Sequence, residues 1–590
     1  MDIIHSKLTE LLQEYFKKNS VEVTTSQFLF QPTNKDHRGD VTLTVFPLAK
    51  ILKANPEVLA NELGQELLKS DSISNFSVIK GFLNLELTNS AWKILSQNLK
   101  NIAYKTSHPD NIVLEYCGPN TNKPLHIGHL RNLFLGYSVG QILKESGHDV
   151  KIVNINNDRG IAICKSMIAY HLYGNKETPK SSGLKGDFLI GKYYVKYNSV
   201  LTEEVNTQIK DGHSKEDAEA NAPIALAAQK MLIDWENGNP EVLALWKQMN
   251  DWFYDGLHQT LSLLNIKFDK EYFESAEYKK GKEIVEIGFK KGAFQMDKTG
   301  GIFVDLTEKG LDKKFLQRSN GTSLYITQDM AVIRQRYEDF KMNRMIYTVG
   351  DEQNYHFKVL GYIMEALNEP FSSSIYHLSY GMVTGKDGSK YKSREGTTAD
   401  ADTVLKEIIE EAKKQTLDSE KASKIEPEYL NELSRIIGLG AARYTMLKIN
   451  PKKSIPYDPK ESVQLNGDTG TFIQYTYTRT KKIISDFNNM VFEPELSENF
   501  HFEEEEKALI EHIHEYKHTL ERAEKCLDPS EIAQYCLQLA KLFNRFYHQH
   551  SILKADSAET KTFRIFLTDC TRQYLLKCFD LLGIQAPKKM

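Results

Sequence analysis

Apolar positions along the chain change period twice, and each change marks a different kind of structure. Leu8, Leu11, Leu12, Tyr15 and Phe16 fall on one helical face, while Val41, Leu43 and Val45 alternate as in a half-buried strand. A helix is predicted after Pro56, with Val58, Leu59, Leu63, Leu67 and Leu68 on its apolar side, and 78–87 reads as a strand pair around Gly81. Residues 1–105 are therefore expected to form an α+β module, joined to the rest by the polar stretch 104–111. From Asn111 the order becomes strand, helix, strand. Residues 112–114 are a short apolar run, Pro119 and Pro124 punctuate a loop, and Ile127, Leu130, Phe134 and Tyr137 line a helix that stops at Gly147 before the next run, 150–155. Such a βαβ unit predicts a parallel sheet and an α/β nucleotide-binding architecture over 106–460. Within it, the polar part from about 175 to 300 reads as a helical insertion. The runs 301–304, 323–326 and 345–349 read as returning strands. After about 460 strand signals vanish, and the helical stretches 473–484, 508–520, 532–547 and 563–582 predict an all-helical unit over 461–590. The acidic run 503–506 reads as a solvated helix start.

Composition narrows the class. The 590 residues are 41% hydrophobic and 26% charged, which suits folded domains and excludes a mostly disordered chain. The 75 basic and 79 acidic side chains leave a net charge of −4, so nucleic acid cannot be bound by bulk positive charge, although a local basic patch can still serve. No apolar stretch nears the roughly 20 residues of a membrane helix, and the start has no basic-then-apolar leader. A cytoplasmic protein without a membrane partner is expected. Cys117, Cys164, Cys526, Cys536, Cys570 and Cys578 include no pair two residues apart. A paired-thiolate zinc site is therefore not expected, and all six read as buried structural thiols.

The strongest chemical signal is His126-Ile127-Gly128-His129 at the start of the first βαβ helix. Two histidines three apart share a helical face, the helix N-terminus is already an anion site, and Gly128 leaves room for a flat ligand. Such a site can hold triphosphate oxygens and stabilise charge in phosphoryl transfer; the bland alternative is a pair of histidines capping a surface helix. Context weighs against the cap alone. A Pro-bounded loop, 115–125, brings Lys123 just ahead of His126, and 385–396 is a basic, glycine-flanked loop able to close over a polyphosphate. Alone, that second loop would read as a solvated surface loop. Together the two segments favour a nucleotide site.

These segments resemble class I aminoacyl-tRNA synthetases, and the chain as a whole resembles the arginyl-tRNA synthetase family. Residues 126–129 match the HIGH motif, and 390–394 lie where the KMSKS loop should be. Glu115 to Arg131, Asn156-Asn157-Asp158-Arg159-Gly160, Tyr325-Ile326-Thr327-Gln328-Asp329 and Gln353-Asn354-Tyr355-His356 are similar to that family's catalytic blocks. His37-Arg38-Gly39-Asp40 resembles its extra N-terminal domain, and Asn466-Gly467-Asp468-Thr469-Gly470 the opening of its helical anticodon-binding domain. The resemblance implies a multidomain α/β fold: a Rossmann-like parallel-sheet catalytic domain with a helical insertion, an α+β N-terminal domain that contacts tRNA, and an all-α C-terminal anticodon-binding domain. It implies ATP-dependent ligation of L-arginine to the 3′ end of tRNA(Arg) through arginyl-adenylate, giving AMP and pyrophosphate. It further implies that ATP is a substrate, that Mg²⁺ assists without zinc, that activation needs tRNA, and that the enzyme is a monomer.

Site residues follow from the same resemblance. His126, His129, Lys123, Lys390 and Lys392 are expected to be catalytic. Pro119, Asn120, Gly128, His126, His129 and Lys390 are expected to hold ATP, and Glu115, Asn120, His126, Tyr325, Asp329 and Gln353 to hold arginine. Asn544, Tyr547, Lys588 and Met590 are expected to touch tRNA. The loop departs from the family pattern: of Lys390-Tyr391-Lys392-Ser393-Arg394 only the first lysine matches, so Lys123, Lys390 and Lys392 are expected to share the load. The chemistry is consistent. A guanidinium is best held by planar carboxylates supported by a hydroxyl or amide, and Tyr325 and Asp329, four apart, face the same way in a helix. Without the resemblance Asp329 would read as a charge at a helix N-terminus. From Tyr535 onward nine Lys or Arg oppose four Asp or Glu. Phe543, Phe546, Tyr547, Phe563, Phe566, Tyr574 and Phe579 are interleaved, and aromatics beside cations can stack unpaired bases, although most of these are expected in a bundle core. Other readings are weaker. A cysteinyl enzyme should show zinc ligands, the larger aliphatic enzymes carry a long editing insertion, and a glutamyl-type site should present cations. A non-catalytic tRNA-binding paralogue is opposed by the intact His126, Gly128, His129 and Asp329.

Overall fold

The structure, a computed structural model, describes the whole chain except residues 35, 322–323, 390, 392–398, 419–424, 489 and 492. Helix α1 (Asp2–Lys18) buries Ile4, Leu8, Leu12 and Phe16, the four-residue spacing of a helix with one face on a core. Then come β1 (Leu29–Pro32), β2 (Val41–Thr44), α2 (Phe46–Leu52), α3 (Pro56–Leu67), β3 (Ile73–Ile79), β4 (Phe82–Leu87) and α4 (Asn89–Gln97). The strands form an antiparallel sheet in the order β1-β2-β4-β3. Helix α3 starts where it does because Asn55 accepts from the Glu57 and Val58 N–H groups while Pro56, which has no N–H to satisfy, takes the first turn.

β5 (Asn111–Glu115), α5 (Ile127–Glu145) and β6 (Asp149–Asn156) form the expected βαβ unit. α6 (Ile161–Tyr173) leads into the helices α7 (Pro179–Ser182), α8 (Gly186–Lys210), α9 (Lys215–Asn221), α10 (Pro223–Glu236) and α11 (Pro240–Leu263). The stretch read as helical to about 300 in fact holds β7 (Lys270–Phe273), which pairs parallel with β6 at the sheet edge. Its charged, four-residue sequence suits an edge strand and hides it from a search for apolar runs. α12 (Glu274–Lys290) follows. β8 (Gln295–Met296), β9 (Ile302–Val304) and β10 (Lys314–Gln317) make a separate antiparallel sheet, so 301–304 does not return to the parallel one. Nor is 323–326 a strand. Ser323 lies outside the described residues, and Tyr325 is the N-cap of α13 (Ile326–Phe340). Three apolar residues fit a helix's first turn as well as a strand.

β11 (Arg344–Gly350), α14 (Asn354–Ala366) and β12 (Ile375–Tyr380) complete a five-stranded parallel sheet in the order β12-β11-β5-β6-β7. Chain order reverses at β5, with β6 on one side and β11 on the other, which opens a crevice at the carboxyl ends of these strands. β13 (Val383–Thr384) precedes α15 (Ala401–Leu417) and α16 (Pro427–Leu447), and pairs with β14 (Ile455–Pro456) beyond them. Buried Arg131 of α5 grips this arm, its guanidinium donating to the carbonyls of Gly381, Met382 (3.3 Å), Pro451 (2.8 Å) and Lys453 (2.7 Å).

The remaining elements are helices: α17 (Pro459–Ser462), α18 (Gly470–Asp486), α19 (Glu504–His514), α20 (Tyr516–Cys526), α21 (Ser530–Gln549) and α22 (Ala558–Leu582). The stretch 508–520 breaks at Glu515 into two helices. The acidic run is not simply solvated. Glu506 is buried against Arg564 (2.7 Å), and Glu505 accepts from Arg545 (2.8 Å) and His550 (2.9 Å). Five cysteines are buried, but Cys526, at the end of α20, is exposed. Phe543, Phe546, Phe563, Phe566, Tyr574 and Phe579 fill the bundle core, while Tyr547 is 40% exposed. Among the described residues no helix is long and apolar enough to cross a membrane.

Candidate active site

The chain leaves β5 through two residues with positive φ, Cys117 (+88°) and Gly118 (+57°). That conformation costs a non-glycine residue about 1–2 kcal/mol, and side-chain amides hold it. Cys117 N–H donates to Asn132 Oδ1 (2.6 Å), and Gly118 N–H to Asn154 Oδ1 (3.0 Å). Asn132 Nδ2 donates onward to Thr348 O (2.6 Å), so α5, β5 and β11 are tied at one point. Buried Pro119 accepts from Asn157 N–H (2.9 Å), and Thr121 N–H donates to Asn157 O (3.1 Å), leaving Asn120 exposed between them at the sheet's carboxyl edge.

His126 is the N-cap of α5, and the two histidines cap reciprocally. Gly128 N–H donates to His126 Nδ1 (3.1 Å), and His126 N–H donates to His129 Nδ1 (3.0 Å). The ring centroids are 4.0 Å apart. With each Nδ1 accepting, each neutral ring carries its proton on Nε2, the tautomer able to donate to a phosphate oxygen. Burial, then the charges of His126 and Lys123, push His129 down to about 3, so it stays neutral at physiological pH. The helix cap and the phosphate-binding role are thus one arrangement. Gly128 serves it directly: a Cβ would lie 2.9 Å from His126 Cε1 and 3.0 Å from Nδ1. Room for the His126 ring, rather than for a flat ligand, is the first thing this glycine provides.

Lys123 is exposed three residues upstream. Lys390 and Lys392 lie outside the described residues, but both flanks of their loop are placed. Gly385 N–H donates to Ser389 O (2.9 Å) on one side. On the other, Ile127 N–H donates to Ala399 O (3.3 Å) and Ala401 N–H to Leu125 O (2.8 Å). The chain returning from the loop therefore pairs with the His126 segment itself.

A second set of side chains near the carboxyl ends of these strands is acidic, Glu115 and Glu274 each feeling the charge of Asp329. Glu115 ends β5, is buried, and forms an ion pair with Arg336 of α13. Burial pushes the Glu115 carboxyl up and Arg336 opposes the shift. The Arg336 guanidinium also lies over the rings of Tyr272 (5.1 Å) and Tyr347 (5.6 Å). Asp329, in the first turn of α13, bonds His356 Nε2 of α14 through Oδ2 (2.6 Å). Tyr325 at the start of α13 is 75% exposed, and Gln353, just before α14, is exposed too. Two further acids were missed from sequence. Glu271 of β7 accepts from Asn156 Nδ2 (2.8 Å) and Asn154 Nδ2 (3.3 Å). Glu274, first in α12, is buried and pushed up to about 7, mainly by burial and also by Asp158 and Asp329, against the pull of Arg159. The signal was available only by way of β7: a residue directly after a parallel strand sits at the edge where such sheets bind ligands.

Three family descriptions cover most of the chain. "tRNA synthetases class I (R), catalytic domain" matches residues 91–457, "DALR anticodon binding domain" 473–590, and "Arginyl tRNA synthetase N terminal domain" 2–87. The arginine–tRNA ligase of Parabacteroides distasonis is 42% identical over 577 residues, 96% of each chain. That of Amoebophilus asiaticus is 42% identical over 596 residues, 99% of each. The chain belongs to the arginyl-tRNA synthetase family. Its fold is that of solved arginyl-tRNA synthetases. The Thermus thermophilus structure matches with a TM-score of 0.77 at 23% identity, covering 99% of this chain and 100% of that one. The Plasmodium falciparum structure matches with a TM-score of 0.75 at 17% identity, covering 100% and 99%.

In the helical domain, Asn544 and Tyr547 meet around Arg479, which sequence reasoning missed. Its guanidinium lies over the rings of Tyr475 (5.0 Å) and Tyr547 (4.8 Å) and donates to Asn544 Oδ1. The chain end is held by α16: Lys588 N–H donates to Tyr429 Oη (3.0 Å), Lys589 pairs with Glu426 (2.7 Å), and Met590 packs half-buried against the core.

Proposed function

We propose that the crevice beside β5 holds ATP and L-arginine together, forms arginyl-adenylate, and passes the arginyl group to the 3′ ribose of tRNA(Arg), making the protein an arginine–tRNA ligase of translation. What supports the reading is the polarity of the crevice. The α5 N-terminus with its two histidines suits phosphates, while Asp329 and Glu274, close enough for each other's charge to be felt, suit a guanidinium. A substrate with an acidic side chain would need the reverse.

In this reading Asp329 and Glu274 take the guanidinium with the Tyr325 hydroxyl. Glu115, Asn120, His126 and Gln353 orient the α-amino and carboxylate groups, and Arg336 fixes the Glu115 carboxylate. His126, His129, Gly128, Pro119 and Asn120 seat ATP, while Lys123, Lys390 and Lys392 offset charge on the triphosphate. The arginine carboxylate then attacks the α-phosphorus in line and pyrophosphate leaves. Next, the ribose hydroxyl of tRNA attacks the acyl carbon and AMP leaves. The protein supplies position and charge stabilisation, with no side chain required as an obligatory base. Mg²⁺ is expected to arrive on the triphosphate, to which it would lend charge neutralisation. The Arg479 cluster, with Asn544, Tyr547, Lys588 and Met590, is the face offered to tRNA, and the protein is expected to act as a cytoplasmic monomer.

The test is pyrophosphate exchange into ATP with each amino acid, with and without tRNA and Mg²⁺. Exchange with arginine alone, and only with tRNA present, is expected. Exchange with a different amino acid would overturn the pocket assignment, and tight tRNA binding without any exchange would make the chain a binding protein.

A further inference from the structure

Where α5, α16 and the ends of α11 and α22 meet, a cavity of about 470 Å³ opens between the catalytic and helical domains, with Tyr137, Asn265, Arg435, Arg443, Asp580 and Gln585 among its walls. Arg443 is its unusual member. Only 3% of it is exposed, and its guanidinium lies over the rings of Phe134 (4.8 Å) and Tyr137 (4.9 Å). Nη2 donates to Leu264 O (2.6 Å), while buried Nη1 has no partner among the described residues. Nη1 faces Gly583, the C-cap of α22 and itself part of the cavity wall; a Cβ there would collide with it. Burial pushes Arg443 down to about 10, opposed only in part by Tyr137 and Tyr116. An unneutralised buried cation is expensive, and an anion placed at Nη1 would relieve that cost.

Arg435, two turns earlier on α16, adds a second guanidinium, one nitrogen of which donates to Gln585 Oε1 (3.1 Å). Asp580 is the opposing acid, and burial with nearby Glu145 holds its carboxyl above the usual range, which weakens its opposition. We propose that this cavity binds a small phosphate dianion, either inorganic phosphate or the phosphate of a mononucleotide, between Arg443 Nη1 and Arg435. Guanidinium forks match phosphate oxygens in pairs. The site is distinct from the triphosphate end of the crevice. His126 and Tyr137 are eleven residues apart along α5, about 16 Å at 1.5 Å per residue. A bound phosphate would brace α5, α16 and α22 across the domain junction.

The experiment is thermal unfolding of the full chain against inorganic phosphate and, separately, AMP, at constant ionic strength, with Arg435→Ala and Arg443→Lys beside the unsubstituted protein. A saturable rise in Tm with phosphate, its midpoint moved at least about tenfold higher in both variants, is expected. If AMP saturates at lower concentration and loses that advantage in Arg435→Ala, the ligand is a mononucleotide; if its effect is indifferent to Arg435, AMP binds elsewhere and free phosphate is the ligand. Should Arg443→Lys fail to fold, Arg435→Ala decides alone, since Arg435 is only half-buried and its one side-chain bond is to Gln585. No saturable rise, or the same rise in Arg435→Ala, overturns the proposal. So does an unchanged phosphate response with weakened tRNA binding, which would assign these arginines to RNA instead.

Discussion

Replacing Asp329 by asparagine separates charge from shape at the centre of the acidic corner. Asp329 Oδ2 lies 2.6 Å from His356 Nε2, and an amide oxygen can keep that contact, so the α13–α14 junction should survive the change. What disappears is a charge-assisted bond to the substrate guanidinium, worth about 1.5–3 kcal/mol. At about 1.4 kcal/mol per factor of ten, the KM for arginine should rise about 10- to 150-fold. The KM for ATP should move within about twofold, the spread seen between sites that do not touch. The assay is pyrophosphate exchange with tRNA present, varying each substrate at saturation of the other, with Tm measured in parallel. Equal rises in both KM values, or no rise in that for arginine, would refute the assignment of Asp329 to the guanidinium.

Gly128→Ala should push the His126 ring off the helix start and slow adenylate formation at least about tenfold, while Tm changes little because the helix preference of alanine offsets the lost cap bond; an unchanged single-turnover rate would count against the cap as phosphate donor. Glu274, at about 7, binds its proton more tightly folded than unfolded, so it subtracts stability as pH rises from the ordinary carboxylate range through about 7. Because the guanidinium needs the ionised form, arginine affinity should rise through the same window. Glu274→Gln should flatten both profiles, as read by thermal unfolding and by KM for arginine from pH 6 to 8, and parallel profiles would contradict the placement. Tyr547→Ala should cost about 1–3 kcal/mol if a base stacks there, raising the KM for tRNA without changing that for arginine; charging kinetics that ignore the substitution would return Tyr547 to a purely structural role.

Periodicity made the βαβ unit and the terminal bundle legible, because β5, β6 and the long helices bury continuous or regularly spaced apolar faces. It failed where tertiary contacts choose the conformation. Lys270–Phe273 is a strand because β6 offers it a partner, not because its residues demand one. Tyr325 and Ile326 carry β-type side chains yet lead into a helix. The two-histidine cap was visible because its parts are adjacent in sequence. The Glu115–Arg336 pair joins a strand end to a distant helix, and nothing near either residue announces the other. Glu274 was hidden for the same reason as the strand before it. Lys390 and Lys392, lying outside the described residues, rest on their sequence alone.

Arg131 holds its four partners by carbonyl oxygens, and a carbonyl is the one group that every amino acid carries. Met382, Pro451 and Lys453 can therefore exchange their side chains over generations without loosening the grip. Gly381 is the exception, since a Cβ there would lie 2.8 Å from the Lys453 carbonyl carbon. At position 131 a single codon change releases all four bonds at once. One contact thus divides into a face that can drift and a face that cannot, and a record of tolerated substitutions should show that asymmetry although both faces share the same bonds.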